Sequence, residues 1–227
     1  MQFKLYQVKN EVKGKPFTKE MEWEIFGRTS KVDESTYQKV LETECEEMGL
    51  GTFAKSISLE GHPLMCGEPL GFMDVIVTER GSYVLDVEGF KYIPFDERKV
   101  EPREDFIKAL YVEPCKRPFV TEISTKLESL QKAVKGLIQY ISNEDMSLLV
   151  VNEEHKMNGM QGNRRIDGDV IAGPFLVVGD TGMDICSLTD EQLEFYKERF
   201  AEPEDISQEE VQEHLKMEFE PWPMNLC

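Results

Sequence analysis

Two four-residue apolar runs, Leu148-Leu149-Val150-Val151 and Phe175-Leu176-Val177-Val178, constrain the fold of this chain more than any other feature. Runs this short, rich in β-branched residues, suit buried strands and cannot cross a bilayer. Further strands are predicted around Phe3, Leu5 and Val8, around Met21, Trp23 and Ile25, and over 72–77. After the Glu79-Arg80-Gly81 turn comes a hairpin partner over 83–87, followed by strands over 107–112, 119–123 and 170–178. Tyr37, Val40, Leu41, Cys45 and Met48 recur at helical spacing between Asp33 and Gly49, which read as start and stop signals. Thr125 with Glu128 fits a capping box ahead of the stripe Leu127, Leu130, Val134 and Leu137. Thr189 with Gln192 and Ser207 with Glu210 give two more boxes, stapled by Leu188 with Leu193 and by Ile206 with Val211.

Strands and helices intersperse without a regular βα alternation, which predicts an α+β fold. The boundaries expected are a domain over 1–97, a polar linker over 98–106, a second α+β domain over 107–201, and an acidic helix with a Pro/Trp arm over 202–227. Pro221 and Pro223 exclude helix from the arm, and Trp222 needs somewhere to bury itself.

Charge separates the end of the chain from the rest. The 227 residues hold 44 acids against 26 bases, a net charge of −18. The last 27 carry one base against eight acids. Such a chain repels phosphate, which disfavours direct nucleic-acid binding and anionic membranes. Met1 to Tyr6 holds no basic segment followed by an apolar one, so no secretory signal is read there. Five cysteines at irregular spacing fit reduced thiols, and the expected location is the cytoplasm.

Tests for chemistry find no site. Gly179-Asp180-Thr181-Gly182 lacks the third Gly, the Lys and the Ser/Thr of a phosphate cradle and reads as a plain turn. His62 and Cys66 are four apart, but Pro63 and Gly67 argue against a helix presenting them together. His62, His155 and His214 lie in no catalytic motif and read as exposed polar residues. No enzyme activity, metal or cofactor is expected. Arg164-Arg165 can bind a phosphate or a partner's carboxylate, or sit in a solvated loop or a structural ion pair.

Residues 108–200 resemble a bacterial and phage domain of unknown function found in mobile elements of gut Firmicutes. The resemblance is carried by Ala109 to Pro114, Leu127 to Gly136, Asn152 to Gly159, Asn163-Arg164, Ile171-Ala172-Gly173, Val177-Val178-Gly179 and Ser187 to Gln192. Gln161 stands where that family usually has Pro. Residues 3–95 are more distantly similar to the YodL-like domain of mobile-element polyvalent proteins, through Tyr37 to Val40, Asp74-Val75-Ile76, Tyr83 to Asp86 and Gly89-Phe90. The resemblance implies a setting beside antirestriction genes and no catalytic residue. Asn158-Gly159 is a turn signal, so Asn152, Asn158, Asn163 and Arg164 either make loop contacts or satisfy the turn backbone.

Three functions are weighed, the last of them a non-catalytic regulatory or scaffold protein. One is an anti-defence protein of antirestriction or anti-CRISPR type that mimics nucleic acid and occupies the basic channel of a nuclease. Its partner-binding candidates are Asp190, Glu191, Glu194, Glu198, Glu209, Glu210, Glu213 and Trp222. The alternative is a sponge for a nucleotide signal, using Arg164, Arg165, Tyr83 and Phe90.

Overall fold

A computed structural model describes residues 1–9, 32–45, 48–59, 61–86 and 88–219. The expected strand at Met21, Trp23 and Ile25 and the arm bearing Trp222 lie outside them. The fold is α+β, with antiparallel strands in three sheets and, among the described residues, four α-helices. Two compact units are present: residues 1–107 with 121–129, and residues 108–120 with 130–227.

The first unit holds β1 (Gln2–Val8), β2 (Tyr37–Glu44), helix α1 (Leu50–Leu59), β3 (Val75–Thr78), β4 (Gly81–Asp86) and β5 (Gly89–Ile93). Its sheet has the order β2-β1-β3-β4-β5. The helix expected from Tyr37 to Met48 is instead strand β2. The register between β1 and β2 slips by one residue, pairing Leu5 with Leu41 and Tyr6 with Lys39. The extra residue is Val40, whose carbonyl accepts the Cys66 amide at 3.0 Å. A bulge breaks the period of two, so the buried positions 37, 40, 41 and 43 mimic helical spacing. Asp33 is a genuine cap, but of a single 3-10 turn over Glu34–Thr36. The helix that does form, α1, follows Gly49, which had been read as a stop, and buries Phe53 in a stacked pair with Phe3 at 4.1 Å.

The stretch expected as a linker packs into this unit. Val100 is buried in the core around Tyr6, Tyr37 and Val75. Arg103 grips Asp105 through two bonds, Nε to Oδ1 at 2.9 Å and Nη2 to Oδ2 at 2.7 Å. Residues 121–129, expected in the second domain, belong to this unit. The Ser124 hydroxyl donates to Asp105, and the Thr121 hydroxyl donates to the Glu42 carbonyl.

The second unit contains the two apolar runs. Strands β6 (Phe106–Val112), β12 (Phe175–Asp180), β9 (Ser147–Asn152) and β8 (Ile138–Ser142) lie in that order, with β13 (Ile185–Cys186) beside β12. Alternate residues Leu110, Val112, Leu149, Val151, Phe175 and Val177 join a core with Leu193, Tyr196 and Phe200. Those last three come from helix α3 (Asp190–Arg199) and its C-cap. On the other face, the Tyr111 hydroxyl bonds the Ala133 carbonyl of helix α2 (Leu127–Val134). Because both faces are covered, the runs show no alternation. Truncating Phe175 to Ala removes a fully buried ring and costs about 3–5 kcal/mol.

The strand expected over 170–178 is split by Gly173, at φ 71°, and Pro174 into β11 (Asp169–Ala172) and β12. β11 pairs with β10 (Gly162–Ile166) as a separate two-stranded sheet. Helix α4 (Gln208–Phe219) follows, and Val211 joins Ile206, Val170 and Ala172 in a small core. No helix among the described residues is long and apolar enough to cross a membrane.

Candidate functional site

Helix α3 begins where the sequence places it. The Thr189 hydroxyl accepts the Gln192 amide at 3.1 Å, and the Gln192 side chain accepts the Thr189 amide at 3.0 Å. Leu193, Tyr196 and Phe200 face the core, which turns Glu191, Glu194 and Glu198 outward. Spacings of three and four put these three carboxylates in one row. None has an ion pair among the described residues, whereas Asp190 is paired with Lys108 at 3.3 Å. Like charges at this spacing repel, which costs the isolated helix about 0.2–0.5 kcal/mol per pair.

Helix α4 divides its acids. Glu209 and Glu213 are exposed. Glu210 is not available in the same way, because Arg165 holds it at 2.6 Å and holds Glu204 at 2.8 Å. The Arg165 guanidinium keeps the Glu210 carboxyl below the usual carboxylate range. The Ser207 hydroxyl accepts the Glu210 amide at 3.2 Å, so half of the expected capping box is present while its carboxylate is turned to Arg165.

A cleft of about 550 Å³ adjoins α3. Glu144, Asp145 and Asp167 line it with Phe195, Tyr196 and Arg199. Arg199 pairs with Asp167 at 3.2 Å, and Asp145 accepts the Ser147 and Tyr196 hydroxyls. Phe195 is 55 % exposed. Three carboxylates against one guanidinium, beside an open aromatic face, suit a cationic side chain. The sequence reading missed this cleft because its members come from three separate segments. The adjacent pair Phe195-Tyr196 was its only local signal, since a helix that buries one must expose the other.

The expected loop contacts turn inward. Asn152 is buried, and its Nδ2 closes the end of α2 by donating to the Val134 and Lys135 carbonyls. Asn163 Nδ2 donates to the carbonyls of Val112 and Gly173. Arg164 is 1 % exposed and bonds the carbonyls of Asn163, Lys116 and Phe200. Burial lowers its pKa, and its Nε has no hydrogen-bond partner. Asn158 and Arg165 stay exposed, Asn158 bonded to Glu154 at 3.3 Å and Arg165 to Glu204 and Glu210.

The histidines are not the exposed residues expected. His155 is buried, and its Nδ1 accepts the Ala172 amide at 3.0 Å. His214 meets Asp169 at 3.2 Å, and His62 accepts the Leu64 amide. Lys156, also buried, donates to both oxygens of Asp169 at 2.8 Å. Burial pushes Asp169 up, but the Lys156 and Val170 hydrogen bonds outweigh it and leave the carboxyl below its ordinary value. Cys66 lies against Arg103 at 3.1 Å. Of Gly179 to Gly182, expected as a plain turn, Gly179 and Asp180 end β12 and the bend lies over 181–184, where the Asp180 carboxylate accepts the Gly182 amide.

With the geometry in place, comparison with known families gives one match. Residues 107–201 carry a domain of unknown function, DUF3846. Arg164, Asn152, Asn163, α3 and the cleft all lie in that segment. Helix α4 with Glu209 and Glu213 lies beyond it. Neither the curated proteins nor the solved structures give a match.

Proposed function

We propose that the protein is a non-catalytic binding protein whose acidic surface on the second unit grips a basic macromolecular partner. The observation that carries this reading is the exposed row Glu191, Glu194 and Glu198, unpaired among the described residues on a helix fixed by a complete capping box. A rigid element holding self-repelling charges, in a chain of net charge −18, presents regularly spaced anions where a phosphate backbone would lie. The adjoining cleft receives a basic side chain from the partner. A nuclease with a basic nucleic-acid channel, of the restriction or CRISPR kind, has the matching surface, and blocking it is an anti-defence role.

The nucleotide-sponge reading has less support. Arg164 is sealed in the core, Arg165 is occupied by two carboxylates, and Tyr83 and Phe90 lie in the other unit. The test is capture from a bacterium carrying such nucleases, at low and high salt and with duplex DNA as competitor. A partner lost at high salt and displaced by DNA is the expected result. A partner retained under both conditions, or a nucleotide that co-purifies with the protein, overturns the proposal.

A further inference from the structure

Among the described residues, the outer edge of the second unit's sheet is chemically unlike every other long edge. The strands that end the sheets elsewhere carry charge: Lys39, Glu42 and Glu44 in β2, Lys91 in β5, Glu122 in β7 (Phe119–Ser124), Arg164 and Arg165 in β10, Asp169 in β11. Charged side chains on an edge discourage pairing with another strand. β8, with the sequence Ile138-Gln139-Tyr140-Ile141-Ser142, has none, and Leu137 before it extends the uncharged run. Tyr140 is 45 % exposed.

Register fixes which backbone groups are open. Asn143 donates to the Ser147 carbonyl, and Glu153 donates to the Leu137 carbonyl. Residues 137, 139, 141 and 143 therefore bond β9, and Ile138, Tyr140 and Ser142 direct their N–H and C=O groups outward. No described strand lies on that side.

The charges flanking β8 are polar along its length. Exposed Lys135 precedes it, and Glu144 and Asp145 follow it. A second copy laid antiparallel places each lysine end beside the other copy's acidic end, whereas a parallel copy sets like against like. Centred on Tyr140, the antiparallel arrangement pairs Tyr140 with itself and Ile138 with Ser142, and every outward N–H meets an outward C=O. That is the self-complementary condition of a two-fold interface. We propose that β8 joins β8 of a second copy in this register, making one continuous sheet across a homodimer. The β8 edge does not include the α3 row, although the flanking Glu144 and Asp145 also line the cleft; the oligomeric state is therefore measured on the chain alone, where failure of the partner reading leaves the result unchanged.

Sedimentation of the full chain tests it, with Tyr140→Pro as the first variant. Proline removes the central outward N–H and no bond to β9, so the monomer keeps its ladder. Dimer for the wild type and monomer for Tyr140→Pro, with unchanged circular dichroism and melting, is expected. Should proline disturb the fold, Tyr140→Lys sets like charges face to face and also gives monomer. Lys135→Glu or Glu144→Lys alone weakens the dimer by roughly fivefold, and the two together restore it. A wild-type monomer up to about 1 mM overturns the proposal. So does a dimer that survives both Tyr140 variants, or a charge exchange that restores nothing.

Discussion

Arg165 grips Glu210 through two parallel hydrogen bonds, Nε to Oε1 at 2.6 Å and Nη2 to Oε2 at 2.7 Å, while its Nη1 reaches Glu204. One exposed guanidinium thereby ties the start of α4 to β10 and takes two carboxylates out of the acidic surface. The neighbouring Arg164 does the opposite work, since its guanidinium faces carbonyls in the interior.

Replacing Arg165 by Ala frees Glu204 and Glu210. Amide exchange in the first turn of α4 then quickens, and affinity for a basic partner rises because the surface gains unpaired negative charge. Glu210→Gln weakens partner binding less than Glu194→Gln, since Glu210 is already neutralised. Hydrogen exchange and a binding titration check the two statements separately.

Arg164→Met leaves the carbonyls of Lys116, Asn163 and Phe200 buried without their donor. Stranded acceptors of this kind cost about 1–3 kcal/mol each, partly recovered by removing a buried charge. Urea denaturation is expected to show a loss of about 3–5 kcal/mol, with Arg164→Lys falling between Met and wild type.

The first unit has its own acid-sensitive tie. The Arg103 fork, aided by the Ser124 hydroxyl and by Lys126, holds Asp105 at a pKa of about 2 against the opposing effect of burial. A carboxyl depressed in the folded state stabilises above its unfolded value and loses that contribution as pH falls through the folded one. Asp105→Asn is therefore expected to cost about 2 kcal/mol at neutral pH. The difference from wild type shrinks between about pH 4 and pH 2, as a series of denaturation curves across that range measures.

Local signals in the sequence survived where one element was enough to state them. The capping box at Thr189 and the run Phe175 to Val178 needed no distant partner, and both stand where the residues place them. Readings failed where a tertiary irregularity altered the period. The bulge at Val40 disguised β2 as a helix, and the positive φ of Gly173 cut one strand into two. The acidic row on α3 was legible because side chains three and four apart share a helix face. The cleft was not, since Glu144, Asp145 and Asp167 meet Phe195 only after the sheet has formed. Asn163 and Arg164 stood out as polar residues near a turn, yet nothing local distinguishes an arginine aimed at solvent from one that closes three interior carbonyls.

The most direct measurement of the central claim is the salt dependence of partner affinity for the wild type and for the triple variant Glu191→Gln, Glu194→Gln, Glu198→Gln. If the α3 row is what the partner grips, the triple variant binds at least about tenfold more weakly at low salt and its affinity responds less steeply to added salt. Equal affinity and an equal salt response in the two proteins would contradict it.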